Sequence, residues 1–200
     1  MGTLLSTKDI CEQERFNYWC DLICDIFVQL EANPVGTKLF YGAIDNNQLS
    51  FVQVSDVISC GQRVVRSRRQ IAKSTEDYFL VNFQLSGESK IEQDGRTAYL
   101  QPGDWALYDS TRPYELAFVG DFTQLVLQMP RQNLRARLAF PEAVTAIAIS
   151  GSAGLGRVTY DFVRSMRREI DNIDPRLSNG LADMTADLLG ACLSELRLNR

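Results

Sequence analysis

One stretch decides the fold: residues 87–114, which read GESKIEQDGRTAYLQPGDWALYDSTRPY. Within it, Asp94-Gly95 separates two short segments rich in strand-forming residues, and this dipeptide meets the positive φ requirement of a tight hairpin turn. Pro102-Gly103-Asp104 marks a second turn a few residues later. Residues 91–93 and 97–100 are therefore predicted to pair as a β-hairpin.

The same pattern extends outward from this hairpin, over residues 39–127. Short apolar runs of about five to nine residues alternate there with turn-forming clusters such as Asp45-Asn46-Asn47 and Ser86-Gly87. Strands at this spacing are typical of a sandwich or of a small barrel. We therefore expect a mainly β protein that also contains helices.

Helical periodicity flanks the strands on both sides. Residues 9–30 place apolar residues at steps of three or four after a capping signature, which predicts an amphipathic helix that ends at Asn33-Pro34. Residues 157–171 and 180–197 predict two more helices, and the polar connection between them allows an antiparallel hairpin. Residues 143–149 are compatible with a short strand.

These elements divide the chain into three parts. Residues 1–38 form a helical segment that packs on the barrel, residues 39–130 form the barrel, and residues 131–200 form a linker and a helical hairpin. One face of the last helix carries an apolar stripe that one partner helix cannot cover, which predicts a homodimer interface. Its members are Leu181, Met184, Leu188 and Leu196.

Composition excludes several classes of function. The chain has 200 residues, a formal net charge of -4 and no histidine. The charge has the wrong sign for a body that coats nucleic acid, and catalysis or metal binding through imidazole is ruled out. The 5 cysteines show no CxxC pair, so we expect a reducing cytoplasm, no metal and no cofactor. Neither a membrane span nor a signal peptide is predicted.

Two groups of polar residues are candidates for ligand binding. Arg66 and Arg68 share one face of a predicted strand, where they are either solvated at the surface or anchors for an anion. Asn82 and Gln84 lie on the even positions of a strand whose odd positions are apolar. This amide face is either half exposed or lines a cavity inside the barrel.

The spacing of the turns resembles a known family. A Gln93-Asp94-Gly95-Arg96 hairpin precedes Leu100-x-Pro102-Gly103-Asp104 and then Asp109-x-x-x-Pro113-Tyr114. This order, with a strand at 125–130 and a helix-first start at 12–30, is similar to the cupin-like effector domain of AraC/XylS-type transcription regulators, in the AraC-binding-like subgroup. The resemblance extends over essentially the whole chain.

This resemblance implies a jelly-roll barrel that binds a small aromatic effector, a helical hairpin that forms the dimer, and a C-terminal helix-turn-helix module for DNA that is absent from this chain. Tyr114 occupies a position where metal-binding cupins usually carry a histidine, so a metal site is not expected. Laid onto the family pattern, the side chains that line the barrel are Arg66, Arg68, Leu80, Asn82, Gln84, Tyr114, Leu116, Phe118 and Leu125.

The function expected from the sequence is therefore ligand sensing and dimerisation, without catalysis. Two alternatives stay open. One is a metal-free cupin enzyme, and the other is a stand-alone dimerising co-regulator module that has no DNA-binding partner.

Overall fold

A computed structural model describes residues 2–36, 39–74 and 77–198. These residues form two antiparallel sheets with helices at both ends of the chain. The seven-stranded sheet has the strand order β1-β3-β4-β11-β6-β9-β12, and the five-stranded sheet has the order β2-β5-β10-β7-β8. The strands are β1 Thr3–Ser6, β2 Glu31–Pro34, β3 Gly42–Leu49, β4 Val52–Ser59, β5 Gln62–Arg66, β6 Tyr78–Ser86, β7 Ser89–Gln93, β8 Arg96–Leu100, β9 Asp104–Asp109, β10 Tyr114–Phe118, β11 Phe122–Pro130 and β12 Ile149–Ser150.

The mainly β architecture with an N-terminal helix and a C-terminal helical pair is confirmed, with one correction to the expected barrel. Within the described ranges the two sheets face each other as separate ladders and do not close into a barrel. The hairpin is present as expected: β7 pairs with β8, and the turn residues Asp94 and Gly95 have φ values of 52° and 73°. Both angles lie in the left-handed region that this turn requires.

The helices are α1 Arg15–Ile26, α2 Arg68–Ile71, α3 Arg131–Arg135, α4 Gly154–Glu169 and α5 Ser178–Leu198, with short 3-10 turns at Pro141–Val144, Ile170–Asn172 and Pro175–Leu177. None of the helices in the described ranges is long and apolar enough to cross a membrane. Helices α4 and α5 pack antiparallel, since Met166 lies against Thr185 and Thr159 lies against Cys192.

Two boundaries differ from the prediction. The N-terminal helix begins at Arg15 instead of residue 9, because Thr7 exchanges hydrogen bonds with Gly42 and holds the preceding segment against β3. Its chain then continues into β2. Segment 143–149 is largely not a strand, because the Arg96 guanidinium binds the carbonyls of Glu142 and Thr145 and draws the chain into a turn.

The seven-stranded sheet separates two apolar cores. One core fills the space between the two sheets and includes the buried face of α1, with Trp19 at its centre. The other lies between the outer face of the seven-stranded sheet and the helices α4 and α5. Strand alternation places neighbouring residues of one strand in different cores, as with Leu80 and Val81 of β6.

The predicted stripe on the last helix is divided between the interior and the surface. Leu181 and Leu196 pack against the protein's own helical core, together with the fully buried Leu189 and Leu193. Met184 is 56% exposed, and Leu188 is half-buried beside it. The predicted stripe thus lies partly in the helical core and partly at the surface, because the sequence alone does not show which side of the helix the rest of the protein covers.

Candidate functional site

A pocket lies between the two sheets and is closed on one side by α1. Its cavity volume is about 50 Å³, within about 470 Å³ of space not occupied by atoms that includes open solvent. We call it the inner pocket, and its lining residues are Trp19, Ile23, Phe27, Leu30, Val57, Gln62, Val64, Leu80, Asn82, Tyr108, Tyr114, Leu116, Phe118, Phe122, Gln124 and Val126. A mostly apolar lining with a few polar groups is usual for a site that binds small molecules.

Strand alternation explains which side chains enter the inner pocket. On β10, Tyr114, Leu116 and Phe118 occupy alternate positions and point toward the seven-stranded sheet. On β6, Leu80 and Asn82 point back toward them. The structure thus brings together five of the residues that the resemblance placed in the pocket.

Aromatic rings form much of the wall. Tyr108 and Tyr114 meet edge to face with ring centroids 4.9 Å apart, and Phe118 and Phe122 stack with centroids 3.8 Å apart. Such walls favour a flat, aromatic occupant, because ring pairs add attraction beyond the area that they bury.

The polar groups on the seven-stranded sheet form one hydrogen-bonded chain. The Tyr108 hydroxyl donates to Asn82 Oδ1 at 2.9 Å, and Asn82 Nδ2 donates to Gln124 Oε1 at 2.9 Å. Gln124 Nε2 then donates to Gln84 Oε1 at 2.7 Å, which also accepts from Ser89 Oγ. Gln84 therefore lies at the end of this amide chain and is not part of the pocket lining.

Helix α1 is attached to the five-stranded sheet across the inner pocket. Trp19 Nε1 donates to Gln62 Oε1 at 2.8 Å, and both side chains are buried. Ile23, Phe27 and Leu30 continue the same wall. A ligand that enters the pocket must therefore contact α1.

Arg66 and Arg68 do not share one environment, which corrects the prediction. Arg66 ends β5 and is only 1% exposed, whereas Arg68 begins α2 and is exposed. Strand alternation stops at Arg66 because Ser67 caps α2: its hydroxyl accepts from the Arg69 amide, and Gln70 accepts from the Ser67 amide.

The Arg66 side chain is held by the main chain. Nε donates to the Ser110 carbonyl at 2.6 Å, and Nη1 donates to the Gln29 carbonyl. Burial lowers the pKa of Arg66, while nearby Tyr114 and Asp77 oppose that shift. Arg66 lies directly opposite Tyr114 in the β5–β10 pairing, so its charge lies close to the rim of the inner pocket.

Leu125 lies on the wrong face for the predicted role. It belongs to the core beneath the helices, and Phe122, Gln124 and Val126 of the same strand line the inner pocket instead. The pairing of β11 with β6 shifts register between Thr123 and Gln124. The extra residue at this shift, Leu85, lies on β6, whereas β11 pairs with β4 without a break from Phe122 to Gln128. Leu125 was therefore placed one residue out of register, which puts a side chain on the opposite face of the strand.

A model of the AraC-binding-like domain matches residues 19–194. The chain belongs to the AraC-binding-like domain family. A protein of Bacillus sp. (strain OxB-1), described as an uncharacterized protein in the nit 5′ region, is 42% identical over 197 residues, which cover 98% of this chain and 76% of that protein. The transcriptional activator NphR of Rhodococcus sp is 26% identical over 198 residues, which cover 96% of this chain and 58% of NphR.

A solved structure shows the same fold for this AraC-binding-like domain. The crystal structure of the AraC-like transcriptional activator CuxR matches it with a TM-score of 0.86 at 19% identity, and the match covers 97% of this chain and 70% of that chain. The present chain is therefore shorter than each of these three proteins.

The contribution of α1 to the AraC-binding-like domain's pocket was missed by the sequence reading. The signal was present, because Trp19, Ile23, Phe27 and Leu30 form the apolar face of the predicted N-terminal helix. What sequence did not show is that this face closes the space between the sheets. Gln62 was also missed, since its role depends on the contact with Trp19.

Proposed function

We propose that this chain is the effector-binding regulatory domain of an AraC-type transcription regulator and that its inner pocket binds a small aromatic effector. The observation that carries the proposal is the pocket itself, an aromatic and apolar space with a few neutral polar groups. The family assignment and the similarity to an activator support a regulatory role.

Binding and regulation are connected through shared elements. An effector in the inner pocket contacts α1 and the inner face of β6, while the outer face of β6 packs under α4 and α5 through Val81 and Phe83. A bound ligand shifts the populations of conformations that differ in the contacts between the sheet and the helices. DNA is then bound by a separate helix-turn-helix domain, whose orientation depends on the helical layer.

The pocket favours binding over catalysis. Among the described residues, its lining carries amides, phenols and an indole, but no carboxylate, amine or thiol that would act as a general acid, base or nucleophile. We therefore propose that the domain has no enzymatic activity. The phenols of Tyr108 and Tyr114 remain, but burial raises the pKa of both, which disfavours the phenolate that a general base requires.

Assembly is the second part of the proposal. We place a homodimer contact on the outward side of α5, where Met184 is exposed and Leu188 is half-buried next to it. Apolar side chains of this kind on one helix face are suited to a two-fold contact between identical chains. The proposed location is the cytoplasm, in keeping with cysteines that are all free in the structure.

The two tryptophans provide a test of the pocket. Trp19 lines the inner pocket, whereas Trp105 lies in the other core. Small aromatic compounds are screened by thermal shift, and those that stabilise the protein are titrated against the Trp105→Phe variant. We expect a change in the fluorescence of Trp19, and the signal should be absent from Trp19→Phe. Stabilising compounds that leave Trp19 unaffected would place the effector elsewhere.

A further inference from the structure

We propose that the inner pocket selects an aromatic molecule with a hydrogen-bond acceptor oxygen, a carbonyl or a carboxylate, and that the Tyr114 hydroxyl is the group that recognises this oxygen. The inference rests on the proposed function and specifies its ligand. It concerns the end of the pocket where Tyr114 of β10 pairs with Arg66 of β5 in the five-stranded sheet.

Most polar groups of the inner pocket already form hydrogen bonds with other residues of the protein. Asn82 and Gln124 are bonded through both their oxygen and their nitrogen, and Tyr108 donates into the same chain. Gln62 accepts from Trp19 and donates to Ser59 Oγ at 3.4 Å. These amides keep a further N–H or lone pair, so a ligand could only add to partners that already exist, whereas Tyr114 would gain its first partner.

Tyr114 differs from these groups. It is 4% exposed, and among the described residues its hydroxyl forms no hydrogen bond, although it is not one of the fully buried polar atoms that lack a partner. Tyr114 lines the inner pocket and also the surface cleft beside Arg66. Burial raises the pKa of Tyr114, with Arg66 opposing that shift, so the phenol keeps its proton and remains a donor. A phenol that is mostly buried and has no protein partner is free to donate to an acceptor on a ligand.

The charge of Arg66 decides the polarity of the ligand group. Arg66 is buried opposite Tyr114, and its guanidinium is bonded to two carbonyls but forms no ion pair within the described ranges. Asp77 acts on it only from farther away. The potential at this end of the pocket is therefore positive, which favours an electron-rich oxygen and disfavours an ammonium group.

Both candidate ligands thus share an aromatic ring and an acceptor oxygen on a side group of that ring. An amide or other neutral carbonyl needs only the Tyr114 hydroxyl. A carboxylate also gains from the Arg66 charge, but it loses its hydration on entry. Probes that differ in this one group separate the two sources.

The test uses four probes of similar size: phenylacetamide, phenylacetate, 2-phenylethylammonium and ethylbenzene. Dissociation constants are measured by NMR titration of the full chain, of Tyr114→Phe and of Tyr99→Phe, a control on a tyrosine that is 70% exposed on β8. We expect phenylacetamide or phenylacetate to bind at least about 10-fold more tightly than the ammonium probe. Tyr114→Phe should weaken that binding by about 3- to 10-fold, the usual effect of one hydrogen bond.

Ethylbenzene separates recognition from packing. Its binding should be the same in the parent, in Tyr114→Phe and in Tyr99→Phe, since it has no acceptor. A second variant, Arg66→Gln, removes the positive charge and keeps Tyr114. It should reduce the ratio of the affinity for the acceptor probes to the affinity for the ammonium probe. It keeps the inference testable if Tyr114→Phe does not fold.

Two results would overturn the inference while leaving the proposed function intact. In the first, the ammonium probe binds as tightly as both acceptor probes. In the second, neither Tyr114→Phe nor Arg66→Gln changes the affinity for the acceptor probes. Failure of all four probes, ethylbenzene included, would contradict the inner pocket as an aromatic site and would overturn the proposed function together with the inference.

Discussion

Arg66 occupies an unusual position for a charged residue, since its guanidinium is buried and bonded to two main-chain carbonyls. The carbonyls of Gln29 and Ser110 belong to segments far apart in the chain, so Arg66 joins the end of α1 to the end of β9. Removing the side chain leaves both carbonyls without this donor, and buried polar groups without partners are costly.

We expect Arg66→Ala to lower the free energy of unfolding by about 2 to 4 kcal/mol, because charged hydrogen bonds and buried packing are lost together. Arg68→Ala, a matched change at an exposed arginine two residues away, should change it by less than about 0.5 kcal/mol. Urea unfolding followed by circular dichroism measures both. Equal effects of the two substitutions would contradict the structural role of Arg66.

Strand register determines how far the sequence could predict the inner pocket. The alternation on β10 and β6 was readable, and it placed Tyr114, Leu116 and Asn82 correctly on the inner face. On β11 the alternation is regular but the predicted register was off by one residue, on β6 a bulge inserts Leu85 opposite β11, and on β5 the cap at Ser67 ended the alternation before Arg68. Bulges and caps depend on tertiary contacts, so periodicity alone does not place them.

The order of elements was more predictable than their edges. Tight turns such as Asp94-Gly95 carry local chemistry that fixes them in the sequence. The start of α1, in contrast, depends on the hydrogen bonds between Thr7 and Gly42, which are distant in the chain. A long-range constraint of this kind leaves no periodic signal.

A cluster of charges joins β9 to the helical layer. Arg131 at the start of α3 donates to Asp109 at 2.9 Å and also contacts Glu142, which accepts from Arg135 as well. Burial alone would raise the pKa of Glu142, but the hydrogen bond and charge of Arg135, together with the charge of Arg131, hold it below its usual value.

This cluster predicts a pH-dependent contribution to stability. A carboxylate whose pKa is lower in the folded state stabilises the fold above its unfolded pKa of about 4.3, and the contribution is lost as the pH falls below that value. We therefore expect Glu142→Gln to destabilise the protein at pH 7, and the difference from the parent to shrink as the pH falls through the lowered pKa of the folded state. Urea unfolding at several pH values measures the difference. A constant difference across this range would show that the charge of Glu142 is not involved.

The outward face of α5 predicts an effect on assembly. Met184→Glu should yield monomers, since it places a charge in the proposed dimer contact, and the exposed position should leave the fold intact. Leu188→Glu should act in the same direction. Tyr99→Glu, on an exposed position of the five-stranded sheet, is the control that should remain dimeric. Light scattering at low micromolar concentration measures the mass, and a dimeric Met184→Glu protein would place the interface elsewhere.

At the scale of the whole molecule, one sheet separates the proposed ligand pocket from the helices that carry the proposed dimer contact. The inner face of the seven-stranded sheet lines the pocket, and its outer face supports α4 and α5. Protein interiors are close-packed, so a ligand that displaces Leu80 or Asn82 also strains the neighbouring residues on the helical side. The arrangement places the inner pocket on one side of the sheet and the proposed dimer contact on the outward side of the helical layer that covers the other side.

The charge of the molecule predicts how residues 1–200 behave with DNA. The formal net charge is -4, and binding to the phosphate backbone depends on positive charges that release counterions. Arginines do occur on α4, but Arg167 is neutralised by Asp45 and Asp56, and Arg157 is paired with Asp161.

We therefore expect no sequence-specific retention of DNA by this chain alone at about 100 mM salt, where nonspecific contacts are already weakened. Fluorescence polarisation with a labelled promoter fragment measures it, and an unlabelled competitor separates specific from nonspecific binding. Specific binding by residues 1–200 would show that DNA recognition does not need a separate domain.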